Sequence, residues 1–146
     1  MLKGISPLLS PELLKILSEM GHGDTIVLGD GNFPSESVGE AARVVRADGI
    51  GIPELLRAIL PLFPLDTYVA HPVTLMQVVP EDPVKTPVWD TYRAILAEHD
   101  ARGGGCIGEE ERFAFYEKAR GAYAVVATGE RALYANILLQ KGVVTE

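Results

Sequence analysis

The sequence predicts a single layered α/β domain, on three observations. Segments with the apolar spacing of helices alternate with short strand-like apolar runs, an order that is typical of α/β proteins. The length of 146 residues is enough for one continuous hydrophobic core. Neither an internal repeat nor a linker-like segment divides the sequence. We therefore expect one domain over residues 1–146.

The first helix is predicted from the residues at its two ends. Ser10 has the side chain of an N-cap, Pro11 suits the first helical position, and Glu12 is acidic in the first turn. Leucines at helical spacing then mark one apolar face. Gly21 suits the end of this helix, so the helix is expected to stop there.

Short apolar runs and prolines locate the elements of the middle region. Residues 25–28 and 44–46 have the composition of buried strands, and Pro53 opens a helix whose apolar residues recur at helical spacing. A third strand is predicted at residues 73–79. The polar, proline-rich residues 81–87 are expected to form a connection.

The carboxyl-terminal region adds two helices and a strand. The spacing predicts a surface helix over residues 88–99, a second helix that ends at Arg120, and a strand over residues 123–127. The glycine run at residues 103–105 is expected to be the most flexible point of the chain. Residues 131–140 are ambiguous, and their apolar spacing favours a helix.

Composition and charge limit the classes of function. A net charge of −7 argues against nucleic-acid binding, which depends on clustered Lys and Arg, and a small neutral ligand fits better. Cys106 is the one cysteine, so no internal disulfide can form. The amino terminus lacks a secretory pattern, and no run approaches the ~18 apolar residues that span a bilayer. We therefore expect a cytoplasmic protein with no membrane partner.

Two glycine-rich turns flank the first predicted strand and carry the first candidate site residues. His22 lies between Gly21 and Gly23, and Asp30 and Asn32 lie in the second turn. Histidine gives and takes protons near neutral pH, and the strand is short enough to predict one cleft for both groups. Two simpler interpretations stay open. His22 could be a residue at a helix end, and Asp30 could bind its own backbone in a turn.

A second set of candidates lies in the last third of the chain. Arg112, Tyr134 and Asn136 supply a guanidinium, a hydroxyl and an amide beside several aromatic residues. Aromatic faces next to such polar groups are typical of carbohydrate pockets, where rings stack on apolar sugar faces. Large aromatic residues are more often part of the core, and three are expected there: Phe113, Phe115 and Tyr116.

Six motifs spread over nearly the whole chain are similar to those of one family of sugar enzymes. They are LLSPELL (8–14), MGHGD (20–24), RADG (46–49), PLF (61–63), RFAFYE (112–117) and YANILLQKGV (134–143). In these motifs the chain closely resembles the L-fucose mutarotase and D-ribose pyranase family. It departs from the family pattern at Asp30-Gly31-Asn32, where relatives have Ala in second place, and over residues 81–111.

The resemblance implies a fold, an activity and an assembly. The implied fold is a layered α/β/α domain with a mixed sheet, and the implied activity is that of a cofactor-free sugar mutarotase. The implied assembly is a ring-shaped homo-oligomer, such as a decamer, with sites at subunit boundaries. His22 resembles the proton donor of the family. Five further residues resemble contacts to a monosaccharide: Asp30, Arg112, Tyr134, Ala135 and Asn136.

Within the family, Arg112 directly before Phe113 resembles the fucose branch, whereas the ribose branch tends to carry a histidine in this region. The expected reaction is therefore interconversion of the α and β anomers of L-fucose by acid–base ring opening and reclosure. We expect His22 to act as the acid and Asp30 to position the sugar or orient His22, with neither a metal nor an organic cofactor.

Four alternatives remain from the sequence. The chain could be a D-ribose pyranase, or a non-catalytic monosaccharide-binding or regulatory protein. The glycine-rich turn at residues 29–31 could cradle a nucleotide, although it lacks a lysine and the usual glycine spacing. A metal site is the fourth, and its ligands would be His22, Asp24, Asp30, His71 and His99.

Overall fold

Six strands form one mixed sheet in the computed structural model, which describes residues 1–145. The strands are β1 (Thr25–Gly29), β2 (Arg43–Ala47), β3 (Val73–Met76), β4 (Ile107–Glu110), β5 (Ala124–Thr128) and β6 (Ile137–Gln140). Their order across the sheet is β2-β5-β1-β6-β3-β4. All neighbouring strands pair in parallel except β6, which is antiparallel to both β1 and β3.

Because only β6 is reversed, the two ends of the sheet collect different segments of the chain. We call one the carboxyl end of the sheet: it holds the carboxyl ends of β1 to β5 and the amino end of β6. We call the other the amino end of the sheet, where the remaining strand ends meet. Every candidate residue that adjoins a strand is assigned to one end or the other by this topology.

Helices cover both faces of the sheet, so the expected layered α/β/α domain with a mixed sheet is confirmed. The helices are α1 (Pro11–Glu19), α2 (Ser35–Val38), α3 (Ile52–Ile59), α4 (Pro87–His99) and α5 (Arg112–Arg120), with 3₁₀ helices at Leu60–Leu62 and Gly103–Cys106. Ile26 and Leu28 of β1 pack with α1, α3 and α4. Val27, which lies between them in sequence, packs with α2 and α5 on the opposite face. None of the described helices is long and apolar enough to cross a bilayer.

The cap predicted for the first helix is confirmed. The Ser10 hydroxyl accepts a hydrogen bond from the Leu13 N–H at 3.1 Å, and Pro11 is the first helical residue. The helix ends at Glu19, slightly before Gly21. A residue distant in sequence binds carbonyl groups at the end of this helix. The Lys141 ammonium donates to the carbonyls of Leu17 at 2.9 Å and Met20 at 2.6 Å.

The helix favoured over residues 131–140 is wrong, because Ile137–Gln140 form strand β6 and residues 131–136 form a loop. Strand β6 lies between β1 and β3, and its residues 137–139 are buried on both faces of the sheet. An apolar run that is buried on both faces loses the alternation by which a strand is recognised. Its spacing could therefore be mistaken for that of a helix.

Other differences from the sequence prediction are smaller. Strand β3 ends at Met76 rather than at residue 79, and the sequence did not predict α2 or β4. The glycine run expected to be flexible lies within the 3₁₀ helix Gly103–Cys106, where the Cys106 thiol donates to the Gly103 carbonyl. Short, polar or glycine-rich elements carry too few apolar positions for a period to be read.

Candidate functional site

A cavity of about 310 Å³ opens at the carboxyl end of the sheet. Strand β1 leads directly into Asp30, Met76 ends β3, Arg112 follows β4, and Asn136 directly precedes β6, so the strand topology brings these residues to one place. Both polar or charged groups and apolar groups line the cavity. The polar and charged lining residues are Asp30, Asn32, Asp82, Arg112, Tyr116, Tyr134 and Asn136. The apolar lining residues are Phe33, Met76, Val79 and Leu133.

Asp30 is both a turn residue and part of the cavity wall. Its Oδ1 accepts a hydrogen bond from the Asn32 N–H at 3.0 Å, which is the local turn bond that the simpler interpretation predicts. Its own N–H donates to Oδ1 of Asn136 at 2.8 Å. Burial raises the pKa of Asp30, and the backbone N–H groups of Asn32, Ala135 and Phe33 partly oppose this rise.

Tyr134 adopts a backbone conformation that is rare for a residue with a side chain. Its φ is +55°, in the left-handed region. Two side chains of α4 hold the peptide groups around it: the Trp89 indole N–H donates to the Tyr134 carbonyl at 2.8 Å, and the Tyr92 hydroxyl donates to the Ala135 carbonyl at 2.6 Å. Local strain of this kind persists only where surrounding structure holds it.

The Tyr134 hydroxyl connects the cavity to the segment after β3. It donates to Oδ2 of Asp82 at 2.7 Å and accepts from the Val79 N–H at 3.3 Å. The hydrogen bond that the hydroxyl donates to Asp82 raises the pKa of Tyr134, so the hydroxyl keeps its proton. Sequence analysis assigned no role to Asp82, because it lies in a proline-rich connection whose fold back over the cavity has no local signal.

Arg112 is at the first position of α5, where the Glu111 carboxylate caps the helix by accepting from the Phe113 and Ala114 N–H groups. The guanidinium Nε of Arg112 donates to the Tyr116 hydroxyl at 3.3 Å. The three aromatic residues expected in the core differ in their burial. Phe115 is fully buried, Tyr116 is half-buried and lines the cavity, and Phe113 is 67% exposed.

Ala135 does not line the cavity. The residue is fully buried and its carbonyl is bound by Tyr92, so its side chain is no sugar contact within this chain. Its contribution is to hold the main chain between Tyr134 and Asn136, which both line the cavity. The expectation for Ala135 is therefore corrected from a contact to a support.

His22 lies at the amino end of the sheet, before β1. Its Nε2 is 3.1 Å from Oδ1 of Asp66, and its ring centroid is 5.1 Å from that of Tyr68. Asp66 is 2% exposed and also accepts from the Tyr68 N–H and from Nε2 of Gln140, both at 2.9 Å. These bonds lower the pKa of Asp66, the Tyr68 N–H most and the His22 side chain next.

The expectation that one cleft holds both His22 and Asp30 is wrong for a single chain. The two residues flank β1, and its five residues at about 3.3 Å each place them roughly 16 Å apart. His22 is absent from the lining of the cavity that contains Asp30. Its side chain is 45% exposed, so the imidazole is accessible to a second molecule.

Asp66 is a further residue that sequence analysis missed. Its side-chain partners His22 and Gln140 lie 44 and 74 residues away, so no spacing in the sequence relates them. A buried carboxylate under an exposed imidazole fixes the orientation of the ring. None of the described residues that line the cavity with Asp30 is His22 or Asp66, so this pair lies apart from that cavity.

The metal and nucleotide alternatives find no support in this arrangement. Within residues 1–145, no group of three or more His, Cys, Asp or Glu side chains could hold a metal ion. The five proposed ligands are dispersed, with His99 at the end of α4 and His71 in the loop before β3. The turn after β1 also offers no free N–H groups to a phosphate, since those of residues 30–33 already donate to protein oxygens.

A larger cavity of about 570 Å³ lies on the other side of Asp30. Apart from Asp30, its charged side chains already pair with one another, because Arg46 contacts Glu36 at 3.2 Å and Asp48 at 2.5 Å. The smaller cavity, whose polar groups come from the motifs singled out in the sequence, is therefore the better candidate for ligand binding.

Comparison with known proteins identifies relatives over the full length of the chain. A model of the RbsD / FucU transport protein family matches residues 3–144. Fucose mutarotase of Homo sapiens is 54% identical over 149 residues, which cover 97% of this chain and 94% of the human protein.

Two solved structures share the fold closely. The crystal structure of FucU from Bifidobacterium longum has a TM-score of 0.97 and 61% identity, covering 98% of this chain and 100% of that one. The fucose mutarotase of Streptococcus pneumoniae, solved in complex with L-fucose, has a TM-score of 0.93 and 49% identity, covering 99% of this chain and 100% of that one.

Proposed function

We propose that this chain, which belongs to the RbsD / FucU transport protein family, is a fucose mutarotase that interconverts the α and β anomers of L-fucose. Two observations support the substrate. Relatives that are 49–54% identical over nearly the whole chain are fucose mutarotases, and one of them was solved with L-fucose bound. The cavity at the carboxyl end of the sheet also combines carboxylate, amide, hydroxyl and aromatic groups, as a monosaccharide requires.

The reaction needs only proton transfers. A base removes the proton of the anomeric hydroxyl, an acid protonates the ring oxygen, and the bond between the anomeric carbon and the ring oxygen breaks. The open-chain aldehyde turns over and recloses on its other face while the same two protons move back. The net reaction involves neither oxidation nor group transfer, so the chain acts as a cofactor-independent isomerase.

Four of the cavity residues are proposed to hold the sugar. Asp30, Arg112, Tyr134 and Asn136 converge on the cavity from three different segments of the chain. The amide oxygen of Asn136 is used by the Asp30 N–H, which leaves its NH2 group as the donor to a sugar hydroxyl. The guanidinium of Arg112 donates as well, and aromatic Tyr116 beside it can pack on an apolar sugar face.

His22 is proposed to donate the proton to the ring oxygen, oriented by Asp66. Because its own cavity lies at the other end of β1, His22 must serve the cavity of a neighbouring subunit. An amino end of one chain that meets the carboxyl end of the next is a head-to-tail contact, and such contacts generate rings when the rotation closes. A ring-shaped homo-oligomer with sites at subunit boundaries, such as the decamer that the family resemblance implies, would meet this requirement.

The cytoplasm is the proposed location. The resemblance to the family supports it, as does a sequence with one cysteine, Cys106, which is buried and needs no oxidising compartment.

Saturation-transfer NMR tests the proposed activity directly. Catalytic amounts of the protein are added to L-fucose and, separately, to D-ribose, and the exchange rate between anomer signals is measured against buffer alone. We expect exchange to accelerate with L-fucose more than with D-ribose, by about 10²-fold or more if general acid–base catalysis operates. Binding of L-fucose with unchanged exchange would instead favour the non-catalytic sugar-binding alternative.

A further inference from the structure

We propose that Asp82 is a sugar-binding residue that helps to determine specificity, its carboxylate accepting a hydrogen bond from a hydroxyl group of the bound monosaccharide. This inference rests on the proposed function and adds to it a residue from outside the recognised motifs. Asp82 belongs to residues 77–86, which connect β3 to α4 and which we call the strap.

The strap brings Asp82 to the cavity and holds it there. The Asp82 N–H donates to the Val79 carbonyl at 3.1 Å, which closes a turn at the tip of the strap. The Tyr134 hydroxyl then ties this turn to the rest of the domain through bonds to Val79 and Asp82. Both Val79 and Asp82 line the cavity, so the turn forms part of its wall.

The carboxylate of Asp82 is fixed before any ligand arrives. Oδ2 accepts from the Tyr134 hydroxyl at 2.7 Å, and Oδ1 accepts from the Val84 N–H at 3.2 Å. Each carboxylate oxygen can accept more than one hydrogen bond, so each retains an acceptor site. A side chain that is already ordered loses little conformational entropy when it binds a ligand.

The chemistry of this group complements the other polar groups of the cavity. Arg112 and the NH2 group of Asn136 are donors, which match the oxygen lone pairs of a sugar. The carboxylate of Asp82, when ionised, can only accept hydrogen bonds, and it therefore matches the O–H groups of a sugar. Hydrogen bonds to a charged acceptor are the stronger kind, and a site built to bind a hydroxyl rejects analogues without it.

The test compares Asp82→Asn with Glu81→Gln in the anomer-exchange assay for L-fucose. Asp82→Asn keeps the shape of the side chain but replaces one carboxylate oxygen by a donor, whereas exposed Glu81 on the same strap lies outside the cavity lining. We expect Asp82→Asn to raise KM by about 10-fold or more with kcat changed less than about 2-fold, the pattern of lost binding. We expect Glu81→Gln to leave both constants unchanged.

A double variant separates direct sugar binding from support of Tyr134. If Asp82 acted only through Tyr134, the Asp82→Asn change would have no effect in a Tyr134→Phe background, and the inference would be overturned. If Asp82 binds the sugar, KM rises further in that background. Asp82→Ser, with folding checked by circular dichroism, provides the same comparison should the asparagine variant fail to fold.

The outcomes for the wild-type chain keep the two proposals apart. If the wild type neither binds L-fucose nor accelerates its exchange, the proposed function fails. If the wild type is active and Asp82→Asn has the same KM, the function stands and the role of Asp82 is refuted. Calorimetry of L-fucose binding to Asp82→Asn tests the role of Asp82 independently of turnover. We expect the dissociation constant of this variant to rise in parallel with its KM.

Discussion

The two ends of the sheet carry different kinds of polar group in different surroundings. At the carboxyl end, buried amide and carboxylate groups surround a cavity, and the backbone at Tyr134 is held in a rare conformation. At the amino end, the half-exposed His22 imidazole rests on buried Asp66. We propose that the first end binds the sugar and that the second donates a proton. One chain therefore carries both the cavity and the His22–Asp66 pair, but it holds them at opposite ends of the sheet.

Strand β6 connects the cavity at the carboxyl end of the sheet with the His22–Asp66 pair at the amino end. Asn136 precedes it and lines the cavity, whereas Gln140 ends it and donates to Asp66. Lys141 follows at once and holds the end of α1, directly before the glycine-rich turn with His22. A change in the register of this one strand would therefore disturb both ends together.

Replacing His22, the proposed proton donor, is expected to have the largest effect. His22→Ala should lower kcat for L-fucose anomer exchange by about 10²- to 10⁴-fold, because it removes a general acid, while the dissociation constant for L-fucose changes little. Asn136→Ala should mainly weaken binding. Exchange NMR and calorimetry on both variants provide the comparison. Equal losses of L-fucose binding in His22→Ala and Asn136→Ala would show that the two ends of the sheet do not have separate roles in catalysis and binding.

Mixing two variants that are impaired in different ways tests, at subsaturating L-fucose, whether the two ends meet between chains. His22→Ala and Asn136→Ala subunits, unfolded together and refolded, should regain activity, since about a quarter of sites in a randomly mixed ring would combine both intact residues. Refolding each variant alone is the control. Absence of recovery in mixed oligomers, with their size confirmed by light scattering, would argue against shared sites.

Removing the support under Tyr134 should have a moderate effect. Trp89→Phe deletes the indole N–H that binds the Tyr134 carbonyl, so we expect KM for L-fucose to rise several-fold through loss of orientation. Trp89 is the one tryptophan of the chain, and its fluorescence in the wild type should respond saturably to L-fucose. Trp89 fluorescence of the wild type that does not change at saturating L-fucose would contradict a link between Trp89 and the bound sugar.

The two ends should also differ, by a smaller amount, in the pH dependence of stability. The pKa of Asp66 is lowered, so its stabilising contribution is present above the ordinary range of aspartate and lost as pH falls through the lowered value. The pKa of Asp30 is raised, so its contribution is present at low pH and lost as pH rises through the raised value.

Melting temperatures of Asp66→Asn and Asp30→Asn from about pH 3 to about pH 7 measure this difference. The advantage of the wild type over Asp66→Asn should shrink on acidification, and its advantage over Asp30→Asn should shrink as pH rises. Parallel curves for the wild type and either variant would mean that the carboxylate concerned does not contribute in this way.

Several features of the site were accessible from the sequence because they depend on neighbouring residues. The Ser10 cap and the turn bond of Asp30 each join groups within three residues of one another. The motifs around Arg112 and Tyr134 likewise pointed to side chains that do line the cavity. Asp66 and Asp82 had no such signal for the site, since the side chains that bond them, His22 and Tyr134, come from distant segments.

The sequence by itself determined the layered fold class, the family resemblance and most of the polar residues of the cavity, because residue type, spacing and capping act locally. Only the tertiary structure decided which distant residues join each end of β1: Arg112 and Asn136 lie with Asp30, and Asp66 and Gln140 lie with His22. The physical reason is that the sheet is ordered by long-range pairing: β6 inserts antiparallel between β1 and β3, and strand direction then assigns each loop to one end.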